Sequence, residues 1–335
     1  MLHERFEKVS PVWQVPCGAP GKIALNAVLS AAGAVIGPYQ DICRGKLIQS
    51  DLEQKDKKVD DPRSVVIKEL DLAAEYAMVE SLHANGFAGH IIGEECGLFS
   101  GQDGSRAYLD GIDGSIHARY GVHGLWAHQC SIIYKDEVVA AAIGMPSTGQ
   151  FFVTAKGRGV WLYEATRVEG KIIWHFSSLH PDFATLTPTP GHLMGCIWRG
   201  SSKPSDNLMQ TSPLCSLRRH VLLDDDPFIW SSTSLTTLNM IRGQIHFSAC
   251  PLQSPWDFAP QFIFLRELGF GGQLLIFEPN DWEHPIPEAE FCQQPIDQAR
   301  RKFNTLAAVN EPVLQLVARV CRENPQPSLV EAVTE

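Results

Sequence analysis

Apolar residues recur at three- and four-residue steps from Lys22 to about Cys43: Ile23, Ala24, Ala27, Val28, Ala31, Ala32, Val35 and Ile36. That period predicts a helix with one buried face. A second helix is predicted from about Glu69 to Asn85, its apolar face made by Leu70, Ala73, Ala74, Ala77, Met78 and Leu82. Gly86 suits its C-terminal end. Between the two, DLEQKDKKVDDPR (51–63) carries charge without period and reads as a loop. Residues 1–20, with Pro11, Pro16 and Pro20, read as an irregular arm.

The pattern then changes. HIIGEE and RAYLDGIDGS are short apolar strands that end abruptly on carboxylates. CSIIY, EVVAAAIGMP and QFFVTAKGRGVWL read as strands separated by turns, with KGRG as a hairpin. In the second half LMGCIWRG (193–200) reads as a strand, and SSTSLTTLNMIRG as a helix between a Ser or Thr cap and Gly243. QIHFSA is a strand, and PWDFAPQFIFLRELGFGG a helix closed by glycines. DQARRKFNTLAAVNEPVLQLVARVCREN gives a last strand and a last helix, and NPQPSLVEAVTE is expected to fray. Mixed strands and helices throughout predict a layered α/β (α+β) fold. A composition shift over 165–190 suggests two halves: 1–170, with most of the candidate acids, and 171–335.

Composition narrows the function. A net charge of −10 disfavours a nucleic-acid or anionic-membrane binder, which needs a basic face. A small phosphorylated substrate stays open, because a bound cation can invert the local field. By eye no apolar run reaches the roughly 18 residues of a membrane span, and MLHERFEKVS lacks the apolar core of a signal peptide. Nine scattered cysteines without a CxxC read as reduced thiols of a cytoplasmic protein and not as a zinc site.

Three acidic clusters carry the candidate chemistry: Glu94-Glu95, Asp110-Gly-Ile-Asp113-Gly-Ser115, and Trp256-Asp257. Any one alone reads as a solvated turn. If the first two strands are neighbours, Glu94, Asp110 and Asp113 converge at one sheet end. Carboxylates that close repel one another, and a hard divalent cation such as Mg²⁺ resolves the repulsion while keeping waters for a phosphate to replace. The Ile112 carbonyl is a further candidate ligand. Ser115 opens a predicted helix whose free N–H groups suit an anion. In outline this is a metal-assisted phosphoryl hydrolysis site. A calcium-binding turn at 110–115 lacks the twelve-residue EF-hand spacing.

These motifs resemble those of the inositol monophosphatase family, the lithium-sensitive, Mg²⁺-dependent phosphatases. YLDGIDGS resembles the family's DPIDGT signature, IIGEE its strand ending in GEE, and SPWDFAPQFIFLRELGFGG its WD helix. VIKELDLAAE resembles its VTxxD segment, KGRGVW its hairpin and NMIRGQIHF its helix–Gly–strand step. The likeness runs from about residue 22 to 320, in order. It implies an αβαβα sandwich of the inositol monophosphatase and fructose bisphosphatase type. It also implies two or three Mg²⁺ ions held by Glu94, Asp110, the Ile112 carbonyl, Asp113 and Asp257. Asp71 and Ser115 would then orient and deprotonate the attacking water, Gly114 and Ser115 N–H groups would hold the phosphate, and no phospho-enzyme would form. A small phosphorylated substrate (sugar, cyclitol or amino-alcohol monophosphate) and a second copy of the chain are the implied partners.

The sequence also departs from that pattern. Gly111 stands where the family has proline, Ser115 where it has threonine, and His117-Ala118 where Asn-Phe is common. Lys68 replaces the threonine of VTxxD, where it could repel metal, pair with Asp71 or bind phosphate. Seven positions before Asp257, where inositol-selective members carry an acid that contacts a substrate hydroxyl, stands Cys250. A thiol is a poor hydroxyl acceptor, which disfavours inositol monophosphate. His117 is the best histidine for a substrate contact; Arg199–Lys203, Arg218-Arg219 and Trp198 read as surface or core. The alternative reading is a catalytically weakened relative that binds or regulates.

Overall fold

The computed structural model describes residues 16–44, 62–169, 171–181, 183, 186, 193–197, 232–279 and 281–323. The expectations placed on 1–15, 45–61, 198–231 and 324–335 lie outside these residues, among them Arg199–Lys203, Arg218-Arg219 and Trp198.

The chain opens with helices α1 (Gly18–Cys43) and α2 (Pro62–Ala84). Strands β1 (His90–Gly93), β2 (Gly97–Phe99) and β3 (Arg106–Asp113) follow, then the short helix α3 (Ser115–Arg119). Next come β4 (Ala127–Tyr134), β5 (Glu137–Met145), β6 (Gln150–Ala155), β7 (Val160–Val168) and β8 (Lys171–Leu179). The rest is β9 (Gly195–Ile197), α4 (Thr233–Ile241), β10 (Phe247–Gln253), α5 (Pro255–Glu267), β11 (Gly271–Phe277), α6 (Glu288–Gln293), β12 (Phe303–Asn310) and α7 (Glu311–Glu323).

Eight strands form one sheet in the order β2-β1-β3-β4-β5-β6-β7-β8, antiparallel throughout except for the parallel pair β1 and β3. A second sheet runs β11-β12-β10-β9, with β10 and β9 parallel. Helices α1 and α2 cover one face of the large sheet. Its other face and the small sheet enclose α4, α5 and α6. Helix α7 lays Val313, Leu314, Val317 and Val320 on the outer face of the small sheet. The result is the five-layer αβαβα sandwich.

The layering follows from the residues. The middle strands of the large sheet are buried on both faces, so Ala140–Ile143 and Phe151–Val153 run apolar without alternation. The α1 face predicted from period is buried except for half-buried Ile23, and its alanines let α2 and the sheet come close. Between β6 and β7, Gly157 (φ +70°) and Gly159 (φ +67°) supply the left-handed backbone that KGRG suggested.

Four expectations change. Helix α1 starts at Gly18, so 18–20 do not belong to an irregular arm. Helix α2 starts at Pro62, inside the stretch read as a loop, because proline's fixed φ suits a first helical position. The division at 170/171 falls within the β7–β8 hairpin, and β8 extends the large sheet. Finally, α1 is long and apolar enough to cross a membrane by composition, contrary to the reading by eye; 61% of that stretch is buried inside the protein.

Candidate functional site

Parallel pairing of β1 with β3 sets Gly93 opposite Leu109, so Glu94, where the chain leaves β1, comes beside Asp110, still within β3 and opposite Gln129 of β4. Asp257 arrives from the other side of the middle layer, in the first turn of α5. One carboxylate oxygen each from Glu94, Asp110 and Asp257 lies within 4.8 Å of the others. Glu94 is exposed, Asp110 is 1% exposed and Asp257 is half-buried. The cluster therefore reaches from solvent into the core.

Local chemistry fixes each acid. Ser254 starts α5 in extended conformation, Pro255 fills its first position, and the Ser254 N–H donates to Asp257 Oδ2 at 2.9 Å. The Trp256 indole N–H donates to Glu94 Oε2 at 3.0 Å. Gln129 Nε2 approaches Asp110 Oδ2 at only 3.5 Å, and Asp110 Oδ1 is buried without a hydrogen-bond partner. An orphaned buried carboxylate oxygen is costly unless a cation or proton satisfies it.

Electrostatics says the same. The Asp110 carboxyl is pushed well above the usual carboxylate range, first by burial and then by the charges of Asp113, Glu94, Asp71 and Asp257. Burial, then Asp113 and Glu94, do the same to Asp257. Glu94 is raised by burial and by Asp113, Glu75 and Glu95, against the Trp256 hydrogen bond. Only hard oxygen donors face one another in the cluster, which fits Mg²⁺.

Asp113 lies beside this cluster, with its carboxylate turned to α4. Its Oδ2 accepts from Ser232 Oγ at 3.0 Å and from the Ser234 N–H at 2.5 Å, and its Oδ1 from the Thr233 N–H at 3.2 Å. It thus neutralises the positive end of α4. Gly114 follows at φ +90°; a Cβ there would lie 2.7 Å from the Leu125 carbonyl and 3.1 Å from Ser232 Cβ, so only glycine fits. Ser115 is exposed at the start of α3. His117 keeps a buried Nε2 without a partner, and burial lowers its pKa.

Asp71 reaches the site from α2. It is buried, its Oδ1 has no hydrogen-bond partner, and its pKa is raised to about 8. Burial is the main cause, followed by Glu75, Glu94 and Glu95, against a backbone hydrogen bond from Ile112. Gly111 makes the approach possible: a Cβ there would lie 2.4 Å from Asp71 Oδ1. The absence of a side chain is what this position requires. Lys68, on the exposed side of α2, pairs with Glu95 at 3.2 Å. Cys250 is 3% exposed in β10, its carbonyl accepting from Thr305 Oγ1 at 3.2 Å.

Two residues escaped the sequence reading. Glu75, fully buried, holds the 94–96 turn, and Arg300 contacts Glu94 from the loop before β12. Glu75 had a signal: it stands four residues after Asp71, and two like charges on one helix face are unfavourable without a reason. Arg300 had none, 206 residues away in sequence.

No family sequence model matches the chain, and neither does any curated protein. Solved structures do resemble it. The extragenic suppressor protein SuhB from Bartonella henselae superposes with a TM-score of 0.62 at 14% identity, over 90% of this chain and 98% of that one. An inositol monophosphatase from Anabaena (Nostoc) gives 0.60 at 16% identity, over 93% and 97%. A 2′-AMP-bound SaIMPase-II gives 0.55 at 16% identity, over 87% and 95%. The fold is therefore of the inositol monophosphatase type.

Proposed function

We propose that the chain is a Mg²⁺-dependent phosphatase that hydrolyses a small phosphorylated metabolite. The observation that carries this reading is the triad of mutually repelling oxygens from Glu94, Asp110 and Asp257, with an orphaned Asp110 Oδ1, in a fold of this type. Binding partners alone would not require acids to be held so close.

In this reading Glu94, Asp110 and Asp257 hold the cation, with Asp113 and the Ile112 carbonyl as further ligands. Such a cation supplies charge stabilisation at the phosphoryl group and acidifies a bound water. Asp71 Oδ1 takes the proton of the attacking water, and the Ser115 hydroxyl orients that water. The N–H groups of Gly114 and Ser115 hold phosphate oxygens, and His117, half-buried in α3, borders the organic part of the substrate. The buried thiol of Cys250 gives that organic part no anionic acceptor, which favours sugar or amino-alcohol monophosphates over inositol monophosphate.

Phosphate release from a panel of metabolite monophosphates, with Mg²⁺ or with a chelator, tests the proposal. Turnover that needs Mg²⁺ and vanishes in Asp110→Asn is expected. Turnover unaffected by chelation would refute it.

A further inference from the structure

We infer that Glu75 and Arg300 are positioning residues that grip the backbone of Glu94 from its N–H and C=O sides and so set its distance from Asp257. The inference rests on reading the acidic cluster as a cation site.

Glu94 is the exposed member of the cluster and sits on the turn between β1 and β2, not inside an element. A ligand on an exposed turn needs outside restraint, because precise geometry depends on the groups that support the ligands. Glu75 gives it on one side. Its Oε1 accepts from the Glu94 N–H at 2.9 Å and the Glu95 N–H at 3.2 Å; its Oε2 accepts from the Glu95 N–H at 3.0 Å and the Cys96 N–H at 2.6 Å. Three successive amides thus converge on one buried carboxylate. Gly93 leaves room for it, since a Cβ there would lie 2.5 Å from Glu75 Oε2.

Arg300 acts on the other side. Its Nη2 donates to the Glu94 carbonyl, and its guanidinium lies 5.3 Å from the centre of the Trp256 ring. The Trp256 indole in turn donates to Glu94 Oε2. Trp256 adjoins Asp257, so Arg300 and Trp256 tie the Glu94 turn to the start of α5. Two acids from distant parts of the chain are thereby held at a fixed spacing.

The sign of the Arg300 effect makes the idea testable. As a bare positive charge near the cluster, Arg300 would repel a cation, and its removal would tighten binding. As a positioning residue, its removal loosens binding. The measurement is Mn²⁺ affinity by electron paramagnetic resonance on the full chain, with the metal-free unfolding midpoint recorded alongside. Arg300→Ala is expected to weaken Mn²⁺ binding about tenfold with the midpoint essentially unmoved, and Arg300→Lys to recover part of the loss. Glu75→Gln puts an NH₂ against amide donors; it is expected to weaken binding by roughly ten- to a hundredfold and to lower the midpoint. Should Glu75→Gln fail to fold, the exposed Arg300 variants decide alone. Unchanged or tighter binding in Arg300→Ala overturns the inference while leaving the cation site standing. A wild-type chain that binds no Mn²⁺ overturns the cation site itself, and this inference with it.

Discussion

Two glutamates in this molecule clasp turns by the same device, in opposite surroundings. Glu75 holds the turn at 94–96 as described. Glu267, at the end of α5, accepts from the N–H groups of Gly157, Arg158 and Gly159 at 2.8, 2.9 and 3.0 Å. The second turn is already specified by its own glycines, which take left-handed backbone at little cost. Glu267 is half-buried and adds to what the local sequence dictates. None of Glu94, Glu95 and Cys96 has positive φ, and the carboxylate that clasps them, Glu75, is itself fully buried beside other acids. The hairpin clasp serves folding, whereas the buried one works against its own electrostatics to keep Glu94 in place. Carboxylates held together at a cost mark the site; a carboxylate that merely caps a turn does not.

The sharpest way to break the contrast is to neutralise the centre of the buried cluster. Asp110→Asn is expected to bring phosphate release to background and weaken Mg²⁺ binding, while the metal-free protein unfolds at a higher temperature because repulsion is relieved. A lower metal-free midpoint would mean the cluster is not strained. Next in size, Ser115→Ala is expected to cut turnover by roughly 10²–10⁴-fold with Mg²⁺ affinity nearly unchanged; a parallel fall in affinity would remove Ser115 from water orientation. Smaller again, inositol monophosphate should trail the best panel substrate by roughly ten- to a hundredfold, the worth of one lost polar contact. A panel that inositol monophosphate heads would overturn the role given to Cys250.

The comparison itself is tested by Glu267→Gln. It is expected to cost about 0.5–1.5 kcal/mol of stability in urea unfolding and to leave Mn²⁺ affinity alone; a change in affinity would erase the distinction between the clasps. The smallest effect is in pH. Asp71 has its folded pKa raised from 3.8 to about 8, so its contribution is present below about pH 4 and is lost as pH rises through 8. His128, buried with its Nδ1 on the Gly111 carbonyl, has its pKa lowered to about 4; its contribution is present above 6.5 and is lost as pH falls. From about pH 7.5 to 8.5, where unfolded-state histidines are already neutral, the raised carboxylates dominate, so the metal-free urea midpoint should fall and Mg²⁺ should flatten the slope. A midpoint that rises over this window would contradict the assignment of Asp71.

Much of this was legible in the sequence, for identifiable reasons. Helical period exposed α1 and α2, and the abrupt stops of HIIGEE and AYLDGIDG exposed two strand ends. Parallel pairing of those strands was a condition no local pattern could supply, yet it is what puts Glu94 beside Asp110. The turn of Asp113 toward α4 was invisible, because Ser232, Thr233 and Ser234 lie about 120 residues away and look like an ordinary helix cap. The need for glycine at 111 was not legible, because the residue that fills the space beside it, Asp71, belongs to another helix.

Helix α1 bears on how the chain is made. It is the first described element to leave the ribosome and is apolar enough to enter a bilayer. Helix α2 can pair with it early, but the strands it finally rests on are β4, β5 and β6; Cys17 at its start donates to the carbonyl of Val153, 136 residues further on. At cellular rates that wait is on the order of ten seconds. During it the apolar face of α1 that β4, β5 and β6 will cover waits for those strands. The segment that fills the finished core is therefore completed only after most of the large sheet has been made.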